Sequence, residues 1–219
     1  MTLYYKAKLI GANEPSVWRV LALPNTATYH DLHRAIQEAF DWQDYHLYEF
    51  RDALEVYHSR NEWRVQDHEC MDWEEEFPFY PENSRTTRLI DRKQLLTHFF
   101  YEYDFGDSWK LDITLERFDR TRLKTAACVA KRGAPPPEDC GSLSGFERVR
   151  RFFALEQAGL PPDKELLGYG DYREWLGLKE DETWDEEVGI CKKSEVDATR
   201  AAWRKQAAAY TRKLKAAVL

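Results

Sequence analysis

Two carboxylates lie close together in the segment Tyr103-Asp104-Phe105-Gly106-Asp107-Ser108-Trp109. Strand-like alternation on both sides of this segment places Asp104 and Asp107 at the mouth of a hairpin. Carboxylate oxygens are ligands for hard divalent cations such as Mg²⁺, Ca²⁺ or Mn²⁺. The pair could also act as general acid and base if their surroundings separate their pKa values, or simply cap the turn through backbone hydrogen bonds.

A second candidate segment is Pro136-Pro137-Glu138-Asp139-Cys140-Gly141. Prolines preset the backbone and glycine permits left-handed dihedrals, so this composition is typical of an ordered functional loop and equally of a loop docked on the core. Cys140 would act as a nucleophile only if a histidine or the following helix lowered its pKa. The candidate metal ligands are Asp104, Asp107, Glu138 and Asp139. The candidate catalytic residues are those four and Cys140.

A third set of residues is assigned to binding. His46 follows Trp42 and Tyr45 and could point into a cleft or fix a loop. The Trp18-Arg19 pair could stack a base, although such a pair inside a strand more often packs a core. Trp109 closes the hairpin motif and joins the binding candidates, which are Trp18, Arg19, His46 and Trp109.

A zinc site is a further alternative. Cys128 and Cys140, with His58, His68 or Cys70, would supply enough ligands, but the sequence has no Cys-x-x-Cys pair. Phosphate-binding loops, dinucleotide fingerprints, nucleophile elbows and zinc-helix motifs are missing from the sequence as well. We therefore predict no cofactor, with a divalent metal ion as the alternative.

The elements that must position these residues begin with strands. Leu3 to Leu9 alternates in polarity and predicts a strand, and Val17 to Leu23 predicts an antiparallel partner. Further strands are predicted over His46 to Phe50 and Leu54 to His58. The clearest hairpin joins the alternating segments on the two sides of the Phe105 to Ser108 turn.

The remaining predicted elements are helices. Thr28 and Asp31 form a capping-box start for an amphipathic helix, and short helices are predicted at Asp91 to Leu96 and Ser144 to Phe153. A long helix begins at Ser194. Strands followed by helices predict an α+β fold with a largely antiparallel sheet, packed helices and a long C-terminal helix. We expect an α+β domain over residues 1–190 and an amphipathic basic helix over residues 191–219.

Composition narrows the class of protein. The 219 residues carry a net charge of −7. This charge argues against non-specific DNA binding, because neutralisation of DNA phosphates needs clustered cations. No apolar run approaches the ~18 residues of a membrane span, so no membrane contact is expected. The sequence opens without the apolar stretch of a secretory signal, which predicts a cytoplasmic protein with reduced cysteines.

The motifs occur in an order that identifies a family. Pro15-x-x-Trp18-Arg19, Ile36-Gln37-x-Ala39-Phe40-x-Trp42 and His46-Leu47-x-x-Phe50 precede the hairpin and proline-loop motifs. Together they resemble the plasmid pRiA4b ORF-3-like family, also called the insertion-element passenger TnpR family, over residues 3 to 190. The resemblance implies an α+β fold and occurrence in bacteria and archaea, often beside mobile elements. It implies no established activity.

Resolvase chemistry does not fit the residues. A serine recombinase needs an activated serine among arginines, whereas Ser16 has only Arg19 nearby. The chain also departs from the usual family pattern at three positions, which are Leu111, Ser142 and Phe146.

Three functional hypotheses remain open from the sequence. The leading hypothesis is a mobile-element-associated accessory protein that binds a protein or nucleic-acid partner without turnover. The alternative is a metal-assisted hydrolase or nuclease that uses the clustered carboxylates. A third hypothesis, duplex DNA binding through the basic final helix, predicts steep salt dependence.

Overall fold

A computed structural model describes residues 1–52, 64–67, 82–90 and 97–217 of the chain. Within these ranges the protein is an α+β structure with a large, mostly antiparallel sheet and a long C-terminal helix, as the sequence predicted. The strands are β1 (Thr2–Asn13), β2 (Ser16–Pro24), β3 (Tyr48–Asp52), β4 (Arg64–Gln66), β5 (Glu82–Asn83), β6 (His98–Tyr103), β7 (Trp109–Asp119), β8 (Ala127–Arg132), β9 (Glu182–Asp185) and β10 (Gly189–Lys192). The helices are α1 (Tyr29–Phe40), α2 (Ser142–Gln157), α3 (Lys164–Leu167), α4 (Tyr172–Trp175) and α5 (Val196–Ala217).

The main sheet has the described strand order β5-β4-β3-β6-β7-β1-β2-β8. Each neighbouring pair is antiparallel except β4 and β5, which run parallel. The predicted hairpin is β6–β7, with Tyr103 opposite Trp109. Because β3 is also antiparallel to β6, Tyr48 lies opposite Tyr103. The start of β3, the end of β6 and the start of β7 therefore meet at one end of the sheet.

Two hydrophobic clusters, one on each face of the main sheet, pack the helices against it. On one sheet face, Leu3, Tyr5 and Leu21 pack with the apolar sides of α1 and α2. Residues of opposite parity, Tyr4 and Val20 among them, pack with Tyr210 of α5 on the other face. The period of two in β1 and β2 thus places α1 and α2 on one side and α5 on the other.

Helix α1 begins as the sequence predicted. The Thr28 hydroxyl accepts the Asp31 N–H at 3.2 Å, and the Asp31 carboxylate accepts the Thr28 N–H at 2.8 Å. This capping box satisfies two N–H groups that the helix leaves without partners. The left-handed Asp41 ends the helix at φ 57° and starts the loop that leads to His46.

Several elements differ from the sequence expectations. β8 and the β9–β10 hairpin lie in segments for which no strand was predicted, and β10 spans the expected boundary at residue 190. Ser194 lies in a 3-10 turn over Lys193–Glu195, so α5 begins slightly later than expected. The strand predicted at Leu54 to His58 and the helix at Asp91 to Leu96 lie outside the described residues.

Helix α5 packs on the sheet through charged groups as well as apolar ones. Arg200 forms an ion pair with the fully buried Asp185, and Arg204 forms one with Glu187. The Lys131 ammonium lies 3.8 Å from the centre of the Trp203 ring. None of the helices in the described part of the chain has the length and apolarity needed to cross a bilayer.

Candidate functional site

The two carboxylate motifs meet in space at the end of the sheet where β3, β6 and β7 come together. The Gly141 N–H donates to Asp107 Oδ2 at 3.0 Å, and the Ser142 hydroxyl donates to the Asp107 carbonyl at 2.9 Å. The Trp42 indole N–H donates to the Pro136 carbonyl at 3.0 Å, which ties the proline loop to the end of α1. The turn, the proline loop and the loop after α1 form one surface.

Close packing at Gly145 sets the position of the proline loop relative to α2. A Cβ atom at residue 145 would lie 1.6 Å from the Cys140 carbonyl oxygen, a distance that no side chain can accept. The Gly145 N–H also donates to the Gly141 carbonyl at 2.8 Å. Only glycine lets the first turn of α2 approach the loop this closely.

Two of the four predicted carboxylates fasten these loops. Glu138 accepts the Tyr103 O–H at 2.5 Å and the Gln43 N–H at 2.7 Å. Burial and the Glu138 hydrogen bond raise the pKa of Tyr103, so its hydroxyl stays a donor. Asp107 holds Gly141 as described above. Asp107 and Glu138 hold neighbouring loops together, and neither belongs to the group of ligand atoms around His46 described next.

The other two carboxylates converge on a histidine. His46 Nε2 lies 3.1 Å from Asp139 Oδ1 and 3.7 Å from Asp104 Oδ2. One ligand atom from each of the three residues lies within 4.8 Å of the other two, the one such group of three among the described residues. Asp104 is buried, whereas Asp139 is exposed. The cluster is therefore open to solvent on one side.

The oxygens of this cluster that face away from His46 have partners of their own. The Gly106 N–H donates to Asp104 Oδ1 at 2.9 Å, and the Tyr45 O–H donates to Asp139 Oδ2 at 2.6 Å. The hydrogen bond to Asp139 raises the pKa of Tyr45 to about 12. Each carboxylate is thus oriented by a neighbour, which is how metal-binding carboxylates are held.

A buried histidine anchors the loop that carries His46. His33 Nε2 lies 2.5 Å from Asp44 Oδ1, and His33 Nδ1 lies 2.8 Å from the Tyr101 hydroxyl. The His33 ring stacks on Tyr48 with its centroid 3.6 Å away, and burial lowers the pKa of His33. The Asp44 N–H donates to the Gln37 side-chain oxygen at 3.1 Å. His33 is therefore a core histidine whose two ring nitrogens both have hydrogen-bond partners.

Cys140 lies in an environment that opposes nucleophilic chemistry. Its side chain is buried, and burial together with the nearby Asp107 carboxylate raises the pKa of the thiol. The thiolate is the reactive form, so a raised pKa leaves little of it at neutral pH. The helix that follows, α2, begins at Ser142, and the pKa of the thiol is raised in spite of it.

Three of the four binding candidates lie away from the cluster's surface. Arg19 is buried and donates to four carbonyls, those of Trp18, Ala39, Arg132 and Gly133. Trp109 is buried, and its ring stacks with that of Trp42 at a centroid distance of 6.4 Å. Trp18 is half-buried beside Lys6, on β2. These positions give Arg19 and Trp109 a role in the scaffold, and only His46 reaches the site.

The alternative zinc site would combine two cysteines that differ in exposure with residues outside the described ranges. Cys128 is exposed on β8, whereas Cys140 is buried in the proline loop. His58, His68 and Cys70 lie outside the described residues.

Fold and site together define a class: an α+β protein with a His-Asp-Asp cluster at one end of an antiparallel sheet. The sequence pattern of the plasmid pRiA4b ORF-3-like proteins matches residues 3–190. The chain belongs to that family.

Its relatives are described as uncharacterised. The uncharacterised protein y4hQ of Sinorhizobium fredii strain NGR234 is 27% identical over 197 residues, which are 89% of this chain and 90% of the relative. The crystal structure of MM3350, a protein of unknown function from Methanosarcina mazei Go1, matches with a TM-score of 0.63 and 26% identity. That match covers 85% of this chain and 93% of MM3350.

Sequence reasoning missed two members of the site. Tyr45 orients Asp139, and Asp44 connects the His46 loop to His33. A weak signal was present, because the two residues occupy the two positions before His46, which was already a candidate. The pairing of Tyr45 with Asp139 spans 94 positions, and local pattern carries no information on it.

Proposed function

We propose that the protein is a metal-dependent hydrolase in which His46, Asp104 and Asp139 hold a divalent cation. The convergence of their donor atoms carries this proposal. Metal bonds of about 2.1 Å at angles of 90° to 109° separate neighbouring ligand atoms by about 3.0 to 3.5 Å. The distances of 3.1 Å and 3.7 Å from His46 Nε2 to the two carboxylates are close to this range.

The donor set favours a particular group of metals. One imidazole nitrogen with two carboxylate oxygens suits Mn²⁺, Fe²⁺ or Zn²⁺ better than the all-oxygen shell that Ca²⁺ prefers. Three protein ligands leave coordination positions for water and substrate, as in catalytic metal sites. Any of these cations there would lower the pKa of bound water, to about 7 in the case of Zn²⁺, and would polarise an ester oxygen.

Isothermal titration with Mn²⁺ and Zn²⁺ tests the site. The chain contains a matched control, because His98 Nε2 lies 2.8 Å from Asp112 Oδ1 in an exposed pair that has no third ligand among the described residues. We expect His46→Ala and Asp139→Asn to weaken binding at least tenfold and Asp112→Asn to leave it unchanged. Metal-stimulated hydrolysis of a phosphate- and carboxyl-ester panel should disappear in Asp139→Asn.

Two results would overturn the proposal. One is the absence of saturable Mn²⁺ or Zn²⁺ binding by the wild-type protein. The other is equal weakening by Asp112→Asn, which would show that any surface His-Asp pair accounts for the binding. Asp139 is exposed, so its substitution by asparagine tests the ligand without disturbing the core.

A second candidate function is capture of a protein partner, and exposed apolar side chains at the cluster favour it. Tyr45 is 53% exposed, Phe105 is 44% exposed and Leu47 is 36% exposed, and all three adjoin His46 or Asp104 in sequence. Exposed apolar groups around a polar centre are typical of interaction sites. The neighbouring carboxylates favour a partner segment that carries lysine or arginine over nucleic acid. An accessory role beside a mobile element stays a prediction.

Fluorescence anisotropy with a labelled Lys/Arg-rich peptide and a labelled single-stranded oligonucleotide tests this candidate. The variant Tyr45→Ser/Phe105→Ser should lose at least tenfold in peptide affinity. Phe118→Ser is the control, because Phe118 is exposed on β7 but does not adjoin the cluster in sequence. Preferred binding of the oligonucleotide, or equal affinity of both variants for the peptide, would contradict it.

A further inference from the structure

A cavity of about 420 Å³ opens beside the His46 cluster. Its volume lies in the range of small-molecule pockets, which is roughly 300 to 1,000 Å³. Tyr45, His46 and Leu47 form one wall of it, so the cavity and the proposed metal site share a ligand. The remaining wall carries mostly charged or titratable groups, among them His30, Arg34, Asp44, Asp67 and Arg85.

The two carboxylates in this wall are already engaged. Both oxygens of Asp67 accept hydrogen bonds from the Arg85 guanidinium, at 2.9 Å and 3.0 Å from Nε. Asp44 Oδ1 lies 2.5 Å from His33 Nε2. The charge of Asp67 is therefore offset by the Arg85 guanidinium, and one oxygen of Asp44 is already held by His33.

Arg34 is the cation in this wall whose guanidinium N–H groups are not used in hydrogen bonds to other described residues. Among the described residues, its nearest acid is Asp44, whose Oδ2 lies 3.9 Å away, and it forms no hydrogen bond with any of them. Its side chain is 67% exposed. A guanidinium has five N–H donors in a planar fork that matches the two oxygens of a carboxylate or phosphate.

We propose that the substrate of this site is a small molecule with an oxyanion group, a phosphate or a carboxylate, which Arg34 binds. This inference rests on the proposed hydrolase function and names its substrate class. The anion would lie against Arg34 while the ester bond lies at the cation beside His46. Water then hydrolyses that bond: its oxygen bonds to the phosphoryl or acyl centre, the bond from that centre to the ester oxygen breaks, and the ester oxygen takes a proton and leaves as the alcohol.

Titration of inorganic phosphate and of acetate into the full-length protein, with and without Mn²⁺, tests this subsite. We expect Arg34→Gln to weaken binding of at least one of the two anions tenfold or more. Mn²⁺ affinity should stay as in the wild-type protein, because Arg34 is not among the proposed ligands. Arg212→Gln, an exposed position on α5, is the matched control and should bind both anions normally.

The outcomes separate this proposal from the metal site. If Mn²⁺ fails to bind but Arg34→Gln still loses anion affinity, the metal site is wrong and the oxyanion subsite stands. If Mn²⁺ binds and both anions bind Arg34→Gln as they bind wild type, the oxyanion subsite is wrong. If the wild-type protein binds neither anion under either condition, the subsite is wrong as well. The anion that binds more tightly, phosphate or acetate, shows which of the two oxyanion groups the subsite prefers.

Discussion

Hydrogen bonds divide the four clustered carboxylates into two kinds. Asp107 and Glu138 each accept backbone N–H groups from a neighbouring loop. Asp104 and Asp139 each bond one oxygen to a donor outside the cluster and direct the other toward His46. A residue type that looks equivalent in sequence therefore has two roles, and only Asp104 and Asp139 contribute oxygens to the group of ligand atoms around His46.

Tyr45 should report on the state of Asp139. We predict that Asp139→Asn lowers the pKa of Tyr45 from about 12 toward its ordinary value of 10, because the carboxylate that stabilises the protonated phenol is neutralised. Ultraviolet phenolate titration of Asp139→Asn against the wild-type protein measures this change. Tyr45→Phe in each background identifies the absorbance that belongs to residue 45. An unchanged Tyr45 pKa in Asp139→Asn would contradict the hydrogen bond.

His33 should make stability depend on pH. Burial lowers its pKa in the folded protein below the ordinary value of 6.5, so the unfolded chain binds a proton more readily. The free energy of unfolding should therefore fall as pH decreases below 6.5. The pKa of Asp44 is lowered by its hydrogen bond from His33, and stability from that group is lost only on further acidification, below about 3.8.

Urea unfolding of wild type and His33→Gln between pH 5 and 8 measures this dependence. The variant should be less stable at pH 8, since it loses bonds to Asp44 and Tyr101. It should also show a weaker loss of stability between pH 6.5 and 5, because the titrating group is gone. Parallel curves for the two proteins would show that His33 does not titrate in this window.

At the scale of elements, ion pairs with the β9–β10 hairpin hold helix α5. Arg200 pairs with Asp185, which has no exposed surface and also accepts the Glu187 and Val188 N–H groups. Arg200→Ala would leave a buried carboxylate with only its backbone partners. We predict a loss of about 2 to 3 kcal/mol in the free energy of unfolding, below the full cost of breaking a buried pair.

Chemical denaturation of Arg200→Ala beside Arg212→Ala checks this prediction. Arg212 is exposed on the same helix, so its loss should change stability by less than about 0.5 kcal/mol. Equal effects of the two substitutions would mean that the Asp185 pair does not hold α5. The pairs of Arg200 and Arg204 also remove two cations from the surface that DNA binding through this helix would need.

Element prediction succeeded where local pattern carries the signal. The alternation in β1 and β2, the Thr28 capping box and the β6–β7 hairpin are all local, and each is confirmed. β8 was missed because its sequence, Ala127–Arg132, has no alternation of polar and apolar residues. β9 and β10 have four residues each, too few for a periodic signal.

The site was less predictable than the elements. Sequence identified His46, Asp104 and Asp139 individually, because their types and their loop settings are local features. It could not separate Asp104 and Asp139 from the fasteners Asp107 and Glu138. That distinction depends on contacts across 34 to 95 positions, as in Gly141 with Asp107 and Gln43 with Glu138. Such contacts are set by the order of strands in the sheet.

At the scale of the whole molecule, the sheet order assembles the site. Antiparallel pairing of β3 with β6 and of β6 with β7 places the His46 loop beside the Asp104 turn. The proline loop after β8 reaches the same end through Trp42, Asp107 and Gly145. The site is thus built from three separate parts of the chain around a rigid sheet, which is a common way to hold a binding constellation.

The position of a bound cation tests the central claim most directly. Crystals grown with Mn²⁺ and measured near its absorption edge would locate the ion by anomalous scattering. We predict a peak about 2.1 to 2.3 Å from His46 Nε2 and from one oxygen each of Asp104 and Asp139. A peak at other residues, or full Mn²⁺ saturation in solution with no peak at this cluster, would contradict the account.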